Sequence, residues 1–164
     1  MERAVPNWDE YFMRLAQHVA TKSKDRSTQV GAVIVRDHRI VSTGYNGFPT
    51  GICDDINSRH ERPAKYLWTE HAERNSIYIA ARHGVMLIGT TIYITGGGIA
   101  CADCARAIIQ AGISECVGMI GKFEGKGSWE ESCKAGEEML REAGIKLVFL
   151  NNKYERIIEK QCLI

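Results

Sequence analysis

A three-layer α-β-α sandwich around a five-stranded mixed sheet is the fold this 164-residue sequence predicts. Three observations predict it. Apolar residues recur at helical spacing in some stretches and as short β-branched runs in others. From residue 71 onward the two kinds of stretch alternate, which places parallel strands under covering helices. Before that, two strand-like runs flank the short polar break Arg36-Asp37-His38-Arg39, the pattern of an antiparallel hairpin.

The elements follow in order. Trp8, Phe12, Leu15, Ala16 and Val19 share one face of a helix from Trp8 to Thr21. Val30 to Val35 and Ile40 to Gly44 are the hairpin strands. Gly44 to Gly51, with three glycines and a proline, is a loop, and the polar stretch from Asp54 to Lys65 extends it. His71 to Arg82 is a helix and Thr91 to Thr95 a strand. Cys101 to Gln110 is a helix that Ala111-Gly112 ends. Glu115 to Ile120 is a strand. Ser128 to Ala143 is a helix with Ser128 as its cap and Gly144 as its stop, and Ile145 to Leu150 is the last strand.

Residues 1–164 contain no repeat, low-complexity segment or linker, which suits one domain with a hydrophobic core. A net charge of +1 argues against a nucleic-acid surface, which needs concentrated basic charge. No apolar run is long enough to span a bilayer, and residues 1–10 lack the apolar core of a signal peptide, so a cytoplasmic protein is expected. In such a reducing compartment the six cysteines are read as thiols or metal ligands rather than disulfides. Cys116 lies in an apolar strand and reads as core. Cys133 and Cys162 read as free thiols.

The chemistry is concentrated in His71-Ala72-Glu73 and Cys101-Ala102-Asp103-Cys104. One histidine and two cysteines give three zinc ligands and leave a position open, as catalytic zinc sites do. A CxxC at a helix start aims both sulfurs one way, and the helix N-terminus favours thiolate. Alone, the CxxC could equally be a redox pair, and Glu73 alone could be a helix-start carboxylate complementing the dipole. Together, at a separation of about 30 residues, they match the pattern of zinc-dependent nucleobase deaminases. Glu73 is then the general acid–base, moving protons between a zinc-activated water and the substrate while the ring exchanges its amine for oxygen and releases ammonia.

From about Trp8 to Leu150 the sequence resembles the deoxycytidylate deaminase family, within the cytidine deaminase-like superfamily. Ser23-Lys24-Asp25, Gln29-Val30-Gly31-Ala32, Gly44-Tyr45-Asn46-Gly47-Phe48-Pro49, Lys65-Tyr66 and Ala107 to Ile113 carry the resemblance beside the zinc motifs. It implies a cytidine deaminase-like fold, Zn²⁺ held by His71, Cys101 and Cys104, Glu73 as proton shuttle, and conversion of dCMP to dUMP and ammonia. It also implies that Asn46 lies in the nucleotide pocket and that Lys65 and Tyr66 meet phosphate or sugar. The residues by themselves leave other readings open: a turn asparagine, a solvated lysine and a packing tyrosine. Lys24 and Arg26 either help with phosphate or face water.

The resemblance further implies a homo-oligomer, dimeric or hexameric, and control by dCTP and dTTP, because the Gly44 to Gly51 loop resembles an effector loop. The sequence departs from the family at three places. Ala100 replaces the proline before Cys101, Arg26 replaces a proline, and Gly96-Gly97-Gly98-Ile99-Ala100 is longer than usual where the pocket wall should stand. That wall keeps cytosine, CMP, a modified pyrimidine or a guanine-type base open as substrates. A nucleic-acid editing deaminase and a silent nucleotide-binding zinc protein are the remaining readings; near-neutral charge weighs against the first and Glu73 against the second. Cys53 and His60 lack a convincing further ligand pair for a second zinc.

Overall fold

The computed structural model describes residues 4–120 and 128–157. The first helix, α1 (Trp8–Ala20), starts at Asn7, whose extended backbone lets its side chain accept the Glu10 N–H at 2.8 Å. Such a cap contributes about 1 kcal/mol. Phe12, Met13, Ala16 and Ala20 fall on one face and are buried. Strands β1 (Gly31–Arg36) and β2 (Arg39–Tyr45) pair antiparallel through Asp37 and His38. Both turn residues have positive φ, the two-residue geometry that matches strand twist.

Strand β3 (Thr91–Ile94) lies antiparallel to β1. Strands β4 (Glu115–Met119) and β5 (Lys146–Leu150) follow in parallel. Among the described residues the sheet has six strands, one more than the sequence predicts, in the order β2-β1-β3-β4-β5-β6. The addition, β6 (Arg156–Ile157), is antiparallel to β5. It is two residues long, too short to show a period of its own. The chain turns back because the Asn151 carboxamide oxygen accepts the Lys153 and Glu155 N–H groups. Arg156 then grips both carboxylate oxygens of Asp9, at 2.5 and 2.9 Å, and reaches Glu115 at 2.9 Å.

The remaining helices are the single turn α2 (Lys65–Trp68), α3 (Ala72–Arg82), α4 (Ala102–Gln110) and α5 (Ser128–Glu142). A 3₁₀ turn, Asn57–Arg59, gives structure to the stretch expected to be loop, and α2 begins at its last residue, Lys65. Alternation along β1 assigns the layers. Ala32 and Ile34 join one core with Ala72, Ala80, Cys104, Ile108, Cys116 and Leu140, so α3, α4 and α5 cover that face. Val33 and Val35 join the other with Phe12, Met13, Ala16, Tyr93 and Val117, so α1 covers the opposite face. Cys116 is core, as expected, and Cys133 is a buried free thiol. Cys162 lies outside the described residues. Among the described residues no helix is long and apolar enough to cross a membrane.

One close approach sets where α3 sits. A Cβ on Gly44 would stand 2.4 Å from the Ser76 nitrogen and 2.5 Å from the Ala72 carbonyl oxygen. Only a residue without a side chain lets β2 meet the α3 backbone at that distance. Ser42 reinforces the contact, its hydroxyl donating to the Ser76 carbonyl at 2.6 Å.

Candidate active site

His71 and Cys101 occupy equivalent places. Each immediately precedes a helix and has extended backbone, with φ −76°, ψ 152° at His71 and φ −74°, ψ 170° at Cys101. Neither side chain caps its helix, which leaves the imidazole and the thiol to project from the helix start. Cys104 sits on the first turn of α4, buried and facing the same way. The His71 Nδ1 lies 3.5 Å from the Cys101 Sγ and 3.4 Å from the Cys104 Sγ. All three ligand atoms lie within 4.8 Å of one another, and among the described residues this is the one such group.

That spacing is a test of fit. Nitrogen at ~2.1 Å and sulfur at ~2.3 Å from a tetrahedral zinc stand about 3.6 Å apart. The observed separations agree, and two sulfurs with one nitrogen are a borderline-soft donor set that suits the same ion. The local electrostatics hold the two thiols differently. The Cys101 thiol is pushed down to about 4, first by its hydrogen bond with Cys104 and further by His71, while burial opposes the change. Cys104, as donor in that pair, is pushed up. The hydrogen bond with Cys101 raises His71 against the effect of burial.

Glu73 is on the first turn of α3, two residues from His71, and is 6% exposed. Burial pushes its carboxyl up, and the nearby His71 charge opposes that only in part. A carboxyl held closer to neutrality can both hold and release a proton. Its helix is fixed at the start by Glu70, whose carboxylate accepts the His71 N–H at 2.9 Å and pairs with Arg74 at 2.5 Å. Glu70 also exchanges two backbone hydrogen bonds with Gly47, which ties the loop after β2 to the residue before His71.

Of the other predicted site residues, Asn46 and Lys65 are buried and hydrogen-bonded, whereas Tyr66 is exposed. The Asn46 side chain accepts the Val30 N–H at 2.8 Å and donates to the Thr28 carbonyl at 2.8 Å. One amide hydrogen and one lone pair are left over. Lys65 is buried, and its ammonium meets both Asp25 oxygens at 3.0 and 2.8 Å and the Ser27 hydroxyl at 2.7 Å. All three protons are thereby used, so a phosphate contact would require Lys65 to leave Asp25. Tyr66 is 64% exposed. Lys24 pairs with Asp54 and Asp55, and Arg26 bonds Asn57. The His60 ring is 2.6 Å from the Asp54 carbonyl oxygen and stacks on Phe48. It shares no metal-like group with Cys53 among the described residues.

The Asp25–Lys65 pair carries two expectations. Lys65→Met leaves a buried carboxylate without its cation, which costs about 3–5 kcal/mol and is read by urea unfolding at pH 7. The Asp25 carboxyl is held down at about 2 from an ordinary 3.8. Burial raises it, but the Lys65 ammonium and the Ser27 and Thr28 N–H groups outweigh burial. A lowered carboxyl contributes stability above its unfolded value and loses it as pH falls. The wild type therefore loses about 2 kcal/mol from this group between pH 4 and 2. Lys65→Met should flatten that part of the acid-unfolding profile; an unchanged profile contradicts the assignment.

Sequence reasoning missed Glu70, Ser132 and Trp129. Ser132 accepts the Ala102 N–H at 3.2 Å, satisfying a donor at the start of α4. The Trp129 ring lies edge-on to His71, centroids 5.6 Å apart. For Ser132 and Trp129 the signal was the spacing 129, 132, 136 on one face of α5, with Gly136 at its far end. A Cβ there would lie 2.5 Å from the Ala100 carbonyl oxygen.

Over residues 6–120 the sequence matches the family described as the cytidine and deoxycytidylate deaminase zinc-binding region. It is 40% identical over 148 residues to the uncharacterized deaminase in the luxG 3' region of Aliivibrio fischeri, covering 89% of this chain and 95% of that protein. It is 35% identical over 157 residues to the deoxycytidylate deaminase of Mus musculus, covering 92% and 84%. The crystal structure of dCMP deaminase from the cyanophage S-TIM5, in complex with dCMP and dUMP, shares the fold. Its TM-score is 0.70 at 22% identity, covering 90% of this chain and all of that one.

Proposed function

This chain belongs to the cytidine and deoxycytidylate deaminase family, and from that premise we propose that it converts dCMP and water to dUMP and ammonia. The observation that carries the reading is the joint geometry of His71, Cys101 and Cys104 with Glu73 buried beside them. His71, Cys101 and Cys104 hold the zinc. When bound, the ion supplies Lewis acidity that brings a water's pKa toward neutrality. Glu73 would take one proton of that water and deliver it to the ring nitrogen of the base as the hydroxyl adds, then take the remaining hydroxyl proton and pass it to the amine, which departs as ammonia while the carbonyl forms. Asn46, with one donor and one acceptor unused, meets the nucleotide from the end of β2. Lys65 holds the pocket wall through Asp25, and Tyr66 faces the sugar and phosphate side.

A cytoplasmic homo-oligomer, dimeric or hexameric, that takes nucleotides rather than nucleic acid is part of the same reading, as are dCTP and dTTP as effectors at the 44–51 loop. Gly96, Gly97 and Gly98 all have positive φ and leave the wall at the end of β3 without side chains. A larger base is therefore the competing reading. Ammonia release is measured for the zinc-loaded protein against dCMP, deoxycytidine, CMP, cytosine and guanine. The expected result is turnover of dCMP at least tenfold above every other compound. Preference for guanine overturns the substrate assignment and leaves the zinc chemistry standing.

A further inference from the structure

Residues 23–30 join α1 to β1 without helix or strand, and this segment holds Asn46 on every side. The Ser23 hydroxyl donates to the Asn46 carbonyl at 2.7 Å, and the Asn46 N–H donates to the Val30 carbonyl at 3.1 Å. The Asn46 carboxamide accepts the Val30 N–H and donates to the Thr28 carbonyl. A backbone N–H only donates and a carbonyl only accepts, so these two partners fix which end of the carboxamide is oxygen and which is nitrogen. The segment is itself folded on Asp25. One Asp25 oxygen accepts the Ser27 N–H at 2.9 Å, the Ser27 hydroxyl at 2.9 Å and the Thr28 N–H at 3.1 Å. The Lys65 ammonium closes the turn by meeting both Asp25 oxygens and the Ser27 hydroxyl.

Asp25 thus holds the N–H of the same residue whose carbonyl holds Asn46. Ser27 and Thr28 are exposed, so the carboxylate, and not apolar packing, sets their backbone. Lys65 lies on α2, which leads to His71, and Gly47 beside Asn46 is bonded to Glu70 beside His71. The Asp25 turn is therefore tied to the chain that carries the histidine ligand. We propose that Asp25, latched by Lys65, is a positioning residue: it sets the orientation of the Asn46 carboxamide, and so the register of the nucleotide against the metal ligands, without touching the substrate. The amide hydrogen and lone pair that Asn46 has left over are then presented in one order only. A carboxamide free to turn over would meet the nucleotide with donor and acceptor exchanged.

The effect on turnover rests on the deaminase reading; the orientation of Asn46 does not. Zinc content, kcat and KM with dCMP are measured for Asp25→Asn in the wild-type background and in the Asn46→Ala background. Asn46→Ala alone is expected to lower kcat/KM by about 5- to 150-fold, the range of two ordinary hydrogen bonds. Asp25→Asn alone should lower it by roughly tenfold with zinc content unchanged. Once Asn46 is gone the further loss should be less than about twofold, because a residue that acts through another loses its effect with it. Ser27→Ala keeps both charges and removes only the hydroxyl between them. It should show the same pattern at about threefold, and it carries the test if Asp25→Asn does not fold. Equal losses in both backgrounds, or no loss in the wild-type background, overturn the proposal. Without any substrate, the Asn46 side-chain amide is followed in nitrogen–proton NMR spectra, assigned through its own backbone. Its pair of signals is expected to move in Ser27→Ala toward the position of a solvent-exposed carboxamide, and an unmoved pair overturns the proposal. If the wild type releases no ammonia from dCMP while the amide pair moves, the functional reading fails and the positioning of Asn46 stands.

Discussion

Glu73→Gln is expected to keep zinc at about one ion per chain and to lose turnover by at least 10²–10⁴-fold, the range of a general acid–base step. The amide copies the shape of a side chain that is 6% exposed, so packing is preserved. It cannot carry a proton. The loss should exceed the range for a single step, since in the proposed mechanism one carboxyl serves both the entering water and the leaving amine. Metal analysis with steady-state kinetics on dCMP reads both parts. Activity within about threefold of wild type removes Glu73 from the mechanism.

Cys101→Ala and Cys104→Ala are expected to remove metal and activity together. Each leaves two ligands where a catalytic zinc site uses three. Both positions are at the start of α4, so the helix itself should persist, and circular dichroism near that of wild type would separate ligand loss from unfolding. Full zinc occupancy in either variant means that the ligand set is wrong.

The zinc motifs were legible because the chemistry prescribes residue types at fixed spacing, and because both pieces open helices. The pattern of layers was legible for a similar reason, since period and length distinguish the central strands from the helices. What sequence did not reveal depends on contacts between distant segments. Lys65 reads locally as a surface lysine; its partner Asp25 is brought to it by the fold. The sixth strand is held by Arg156 against Asp9, from the opposite end of the chain. Trp129 reads as one more apolar residue of an amphipathic helix until α4 and α5 are placed side by side. Asn46 is a further case: two of its four hydrogen-bonding positions tie the end of β2 to Val30 and Thr28, 16 and 18 residues away, a link that no local turn makes.

The placement of His71 and Cys101 at two helix starts separates an anchored part of the molecule from an adaptable one. His71, Glu73, Cys101 and Cys104 are anchored to α3 and α4, which share one core with the sheet. On the proposed function, the parts that would meet the rest of a substrate are the turn after β3 and the 44–68 segment. Substitutions in these parts leave the helix starts in place. A lineage built on this scaffold can therefore exchange one base or sugar for another through surface-loop changes alone, inheriting the reaction intact.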